Sequence, residues 1–253
     1  MDQSGNSNIA SGTAGNQPTF VSGALNAQPV INFNASNKSL HLSTNINTTT
    51  PTAFFVANKP AAGTTYMTML TLQQNTWLAQ GSGVDQWGMR LTPDALSGVT
   101  LNSAYRIMTT LERNFNDVDF YTDESVVNKT NGTAYLGKAL GTIGANNAGT
   151  IGTEIENFNG NIAEIIVFNT ILNSTQRIIV DNYLAAKYGL SLTTNEKYLG
   201  DDFGYDFEVA GIGQVGSSNS HKDAKGTGLV RVSNASSLGD GDFFMWGHNN
   251  LQP

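Results

Sequence analysis

The chain has 253 residues, a net charge of −7, no cysteine and only 13% charged side chains. The length suits one large domain or a domain with a smaller companion. The missing cysteines exclude disulfides, thiolate metal sites and cysteine nucleophiles, and the acidic balance excludes a phosphate-neutralising surface for nucleic acid. Small side chains, 29 Asn, 27 Thr and 19 Ser beside 27 Gly, cover a surface that charges cover in most domains.

In chain order the dominant signal is period-two alternation between turn residues. The first 20 residues lack a basic start and an apolar stretch, so no signal peptide is expected within the chain, which reads as a processed or excised piece of something longer. Val30-Ile31-Asn32-Phe33 and Ser39-Leu40-His41-Leu42-Ser43 read as strands. The run Thr52-Ala53-Phe54-Phe55-Val56-Ala57 fits a strand buried on both faces. Alternation returns at Tyr66–Leu72, Gln86–Leu91, Ala104–Leu111 and Val118–Thr122, with turns expected at Asn131-Gly132, Asn146-Asn147 and Asn159-Gly160. Short strands at this spacing predict an all-β jelly-roll sandwich of two antiparallel sheets.

One segment breaks the pattern. Asn173-Ser174-Thr175-Gln176 carries the capping-box signature, with Asn173 or Ser174 as N-cap. Ile179, Tyr183 and Ala186 follow at helical spacing, Lys187 suits the C-terminal end of the dipole, and Gly189 supplies a left-handed C-cap. The pattern predicts a helix of about four turns, with Ile179 and Tyr183 against the sandwich and Gln176 and Arg177 facing water. No apolar run approaches the roughly 18 residues that span a bilayer, so no membrane insertion is expected.

The stretch Phe158-Asn159-Gly160-Asn161-Ile162-Ala163-Glu164-Ile165-Ile166-Val167-Phe168, that helix, and Tyr183-Leu184-Ala185-Ala186-Lys187-Tyr188-Gly189-Leu190-Ser191-Leu192 resemble one family. It is the laminin G-like, concanavalin A-like lectin/glucanase domain of large secreted proteins of Bacteroidota-type bacteria. Asp2-Gln3-Ser4-Gly5-Asn6, Gln17-Pro18-Thr19-Phe20 and Gln28-Pro29-Val30-Ile31-Asn32-Phe33 match as well. The resemblance implies a concanavalin A-like jelly roll over residues 1–192, mostly non-catalytic, secreted or on the cell surface, and often exported by the type 9 route. Family members carry an opening strand and a tryptophan before the first motif, where this chain has Met1, so a sheet-edge strand is expected to be missing or to be supplied by residues outside this chain. Residues 193–253, with Phe207–Gly213, Gly228–Val232 and Gly241–Asn250, resemble part of a β-rich accessory module that follows such domains.

The candidate chemistry is sparse. Glu154-Ile155-Glu156 would put two carboxylates on one strand face with their Cα atoms about 7 Å apart, to be set against the carboxyl separation of about 5–5.5 Å in a retaining glycosidase. The glucanases of this fold, however, add a central aspartate that is absent here. Glu164, inside an apolar strand, reads as a structural acid that needs partners. His41, His221 and His248 have no metal spacing, and no serine sits in a nucleophile elbow. No catalytic residue is assigned and no cofactor is demanded. Calcium is the ion best suited to the oxygen-rich groups Asp201-Asp202 with Asp206 and Asp240 with Asp242, with Asp85 a weaker third; Asx-turns account for the same groups.

Glycan binding needs aromatic platforms beside polar side chains. Trp77 with Asn75, and Trp87 with Asp85 and Gln86, offer that chemistry if the indoles face solvent, and the same indoles suit a core if they face inward. Trp246 reads as core of the tail. The sequence therefore predicts a non-catalytic binding or adhesion module for a glycan or cell-surface ligand, flanked by neighbouring domains of a longer chain. The alternatives are a structural spacer and, more remotely, a polysaccharide-cleaving enzyme on the same fold.

Overall fold

The computed structural model describes all residues except 1, 3, 35–36, 45, 61–64, 82, 115, 131–132, 135–140, 147–150, 227–229 and 250–253. The expected Asn131-Gly132 turn, Asn147, Gly228-Leu229 and Asn250 lie outside the described residues. Contacts divide the chain into two compact units, Met1–Ala24 with Pro29–Ile171, and Leu25–Gln28 with Leu172–Pro253. This division falls before the helix, whereas the sequence placed it after Leu192.

In chain order the strands up to Ile171 are β1 (Ala10–Ser11), β2 (Thr19–Gly23), β3 (Ala27–Phe33), β4 (Leu40–Leu42), β5 (Thr52–Asn58), β6 (Met67–Thr71), β7 (Thr76–Gln80) and β8 (Gly88–Met89). They continue with β9 (Leu91–Thr92), β10 (Ala95–Leu96), β11 (Arg106–Asn114), β12 (Asp117–Thr122), β13 (Ser125–Lys129), β14 (Thr133–Ala134), β15 (Thr142–Ile143) and β16 (Gly160–Phe168). Two seven-stranded sheets result, ordered β1-β4-β15-β6-β7-β8-β10 and β13-β12-β11-β5-β16-β3-β2. Their pairings are antiparallel, as between β5 and its neighbours β11 and β16. The fold is the expected all-β jelly-roll sandwich.

Facing side chains fill the space between the sheets. Phe33, Phe55, Met69, Trp77, Trp87, Met108, Phe120 and Phe158 form one core and are at most 1% exposed. All seven residues of β5 are buried, as the unbroken apolar run requires: Phe55 joins this core, while its chain neighbour Phe54, on the opposite face, meets Phe168 edge-on at 6.1 Å. The expected Asn159-Gly160 turn is instead the entry to β16. A Cβ at Gly160 would lie 2.2 Å from the Asn58 carbonyl oxygen, so only glycine lets β16 close against β5 there.

Both candidate platform tryptophans belong to this core, which corrects the solvent-facing reading. Trp77 and Trp87 are 0% exposed. The Trp77 indole N–H donates to Thr110 Oγ1 at 2.9 Å and that of Trp87 to Thr122 Oγ1 at 2.7 Å, so each indole reaches a threonine of the second sheet. The Trp77 ring packs 5.8 Å from Phe55 and that of Trp87 5.2 Å from Phe120. Buried threonine hydroxyls satisfy the one polar atom of each indole, which lets the whole ring leave water. Asn75 is also interior, 2% exposed, and its Nδ2 donates to Glu112 Oε2 at 2.7 Å.

In the second unit, α1 (Ser174–Tyr188) opens with the full capping box between Asn173 and Gln176 and ends at Gly189, whose φ of 61° is left-handed. Asn26 Nδ2 donates to the carbonyls of Ala186 and Lys187 and so caps the last turn. Beyond the helix come β17 (Phe207–Val215), β18 (Asn219–His221), β19 (Ala224–Gly226), β20 (Val230–Val232) and β21 (Phe243–His248). The order β18-β17-β21 gives a three-stranded sheet, and β19 pairs with β20. Helix α1 packs on β17 and β18. Tyr183 joins Ala186, Tyr198, Val209 and Met245 in the core of this unit, and Thr175 Oγ1 donates to the Asn219 carbonyl at 2.8 Å. Asn182 fastens the following chain, donating to Asn195 O and accepting from the N–H groups of Lys197 and Tyr198. Arg177 does not face water: it is 7% exposed and paired with buried Asp181 one turn on. Among the described residues no helix is long and apolar enough to cross a membrane.

Two expected outcomes follow from this packing. Phe in place of Trp87 keeps an aromatic ring in the core but removes the donor to Thr122, and should cost about 1–3 kcal/mol in denaturant titrations. The second concerns Glu112, which is 0% exposed; burial pushes its carboxyl up to about 8 from the ordinary 4.5, against the opposing hydrogen bond from Asn75. The folded chain therefore keeps a proton that the unfolded chain releases near 4.5, so this group lowers stability progressively as pH rises from about 4.5 to about 8, by on the order of 5 kcal/mol in total. Glu112→Gln should remove that slope and be more stable than the parent at pH 8. An identical pH profile for the two proteins would refute the assignment.

Candidate functional site

Of the five residues expected to bind ligand, none lies in a shared site. Trp77, Trp87 and Asn75 are interior. Asp85 forms an ion pair with Lys59 Nζ at 2.6 Å, the lysine being fully buried, and its carbonyl accepts from Thr100 Oγ1. Gln86 Oε1 accepts from the Gly98 N–H at 3.1 Å. These side chains tie loops together, and their polarity is used inside the protein.

The acidic candidates are similarly engaged. Glu154 and Glu156 do not share a strand face. Glu154 Oε1 lies 2.8 Å from buried His41 Nε2 and also accepts from the Gly152 N–H, whereas Glu156 turns to Arg90. Asp240 accepts from the Gly216 N–H, 24 residues back in the chain, and Asp242 from that of Gly239, so these carboxylates fasten backbone behind them and do not form the Asx-turn weighed from sequence. Asp201 and Asp202 lie on a 3₁₀ turn, and burial together with the neighbouring acids Asp202 and Asp206 holds the Asp201 carboxyl above its usual range. Among the described residues no three His, Asp or Glu side chains converge as a metal cluster.

A different constellation forms an open cleft of about 500 Å³, lined by Thr65, Tyr66, Met67, Glu156, Asn157, Phe158 and Asn159. The chain entering β6, Thr65-Tyr66-Met67, forms one side, and the segment before β16 supplies the other, through a parallel bridge between Thr68 and Asn157. Glu156 is the pivot. Its φ of 57° is left-handed, an uncommon state for glutamate, held by contacts on every side: its carbonyl accepts from the Thr68 N–H at 2.8 Å, and its carboxylate accepts from Arg90 Nη1 at 3.0 Å, Asn146 Nδ2 at 2.8 Å and Thr68 Oγ1 at 3.2 Å.

Arg90 braces two residues of the cleft lining, Tyr66 and Glu156. Its guanidinium lies 3.5 Å from the Tyr66 ring centroid, over the face, and 3.8 Å from Asp94. Burial and the hydrogen bond to Asp94 raise the Tyr66 hydroxyl above its ordinary range, and burial likewise raises Asp94. The phenol is therefore a neutral donor at physiological pH, fixed between a cation and a carboxyl. The cleft offers hydroxyl, amide and carboxylate groups around a held aromatic ring, chemistry suited to a small polyhydroxylated ligand. Sequence reasoning missed Tyr66, Arg90, Asp94 and Asn157, because no local motif joins them; they meet only through sheet pairing.

No protein-family model matches the chain, and no curated protein matches it. Solved structures do. The chain is similar to domain 4 of AbnA, a GH43 extracellular arabinanase from Geobacillus stearothermophilus in complex with arabinotriose, with 14% identity and a TM-score of 0.52 over 69% of this chain and 89% of that one. It is also similar to the binding domain of Paraclostridial Mosquitocidal Protein 1, with 14% identity and a TM-score of 0.54 over 88% of this chain and 57% of that one. At such identities the likeness establishes a shared β-rich fold.

Proposed function

We propose that the protein is a non-catalytic binding module of a secreted or cell-surface bacterial protein, and that its first unit takes a glycan in the cleft between Tyr66 and Glu156. The observation that carries this reading is the convergence there of a fixed phenol ring, the amides of Asn157 and Asn159, and an over-determined carboxylate. Sugar hydroxyls would exchange hydrogen bonds with Glu156, Asn157 and Asn159, while Tyr66 supplies apolar contact at little entropic loss, its ring being already immobilised. The extracellular arabinanase domain of similar fold supports a glycan as ligand class and makes arabinotriose a rational first probe. Export by the type 9 route, a role in adhesion and calcium as the ion best suited to the oxygen-rich loops belong to the same proposal.

The spacer reading keeps one specific support: the indoles that a lectin would expose are spent inside the core. Titration calorimetry with arabinotriose and a panel of neutral oligosaccharides, with and without chelator, separates the readings. The expected affinity is weak, near −4 to −5 kcal/mol, because an open cleft buries little of its ligand. Asn159→Ala and Tyr66→Ala should each weaken binding about tenfold, equivalent to roughly 1.4 kcal/mol, with Trp87→Phe unaffected. Binding indifferent to both cleft variants would remove the site, absence of any binding would favour the spacer, and product formation would make the chain an enzyme.

A further inference from the structure

Strand β2 ends the second sheet, with β3 its neighbour on one side. All five of its residues, Thr19-Phe20-Val21-Ser22-Gly23, are exposed, Phe20 by 64% and Val21 by 38%. Other sheet edges in the first unit are protected by familiar means. β1 and β10 are two residues long, and β13 ends in Lys129 beside the ion pairs of Arg113 with Asp117 and Asp119. β2 has neither protection: residues 3–37 contain no ionisable side chain, and Pro18 lies just outside the strand. An exposed, uncharged edge of this length, bearing adjacent aromatic and β-branched residues, is a template for another strand.

We propose that β2 pairs with β2 of a second copy of this chain. Charge selects this occupant. Each copy carries −7, so two copies repel over most approaches, but β2 and its hairpin partner β3 lie within the uncharged stretch 3–37 and add no like charge to a contact made through them. A charged partner would find no complement on this strand, whereas the strand is its own neutral complement. Antiparallel pairing about a two-fold axis centred on Val21 sets Val21 opposite Val21 of the second copy and Phe20 opposite Ser22 of the second copy. Only five residues per copy take part, well short of the roughly 800 Å² per partner of a stable interface, so the dimer is weak and concentration-dependent.

Sedimentation equilibrium of the whole chain from micromolar to millimolar protein tests this. The parent should rise from 26.9 kDa toward twice that mass. Val21→Lys and Val21→Glu, at an exposed position that leaves folding intact by circular dichroism, should each associate at least tenfold more weakly, because like charges meet across the axis. An equimolar mixture of the two variants should regain association by pairing Lys with Glu. A parent that stays monomeric at millimolar concentration, single variants that associate as the parent does, or a mixture that fails to regain association would each overturn the proposal.

Discussion

The sandwich depends on polar ties driven straight through its apolar centre. Trp77 stands on the first sheet and Trp87 immediately before its strand β8, and their indole donors end on Thr110 and Thr122 of the second; Asn75 and Glu112 form a third tie of the same kind. In a low-dielectric interior each such bond is strong and a missing partner is expensive. Hydrophobic packing alone would let two slippery sheets slide by a residue. Donors of fixed length that reach single hydroxyls allow one register, so the aromatic core and the loops beyond it inherit their positions from these three pairs.

Those ties also explain which features were legible in the sequence. The helix could be read almost residue by residue because its signals are local: Asn173 and Gln176 cap one end, and Gly189 stops the other. Fold class was legible from alternation and turn residues. The fate of the indoles was not, since it is decided by Thr110 and Thr122, which lie 33 and 35 positions further along the chain. On β11 both Thr109 and Thr110 are buried, with Ile107 and Met108 around them, so hydropathy gives no phase. Arg177 was misread for a related reason: Asp181 one turn away lets a guanidinium be buried that pattern alone would send to solvent.

The few charges are spent in pairs. Lys59 meets Asp85, His41 meets Glu154 and Arg177 meets Asp181, each with at least one partner buried, and Arg90 meets Glu156 where both are half-buried. A chain with 13% charged residues that commits several of them inward leaves much of its surface to asparagine, threonine and serine. Such a surface gains solubility from hydration of neutral groups, and it offers ligands hydrogen bonds with little long-range steering.

That surface chemistry constrains how any recognition by this protein must operate. The Tyr66 cleft presents neutral donors and one carboxylate already committed to Arg90, and the β2 edge presents backbone groups with no charge beside them. Neither offers a desolvated ion pair or a deep apolar anchor, the elements that give a single contact high affinity. Contacts of this kind are individually weak, respond little to salt, and become useful when several act together, because linkage turns each later encounter into an intramolecular one. A low-charge, amide-rich sandwich is thus physically suited to repetition along a chain or across copies, where strength comes from number and geometry.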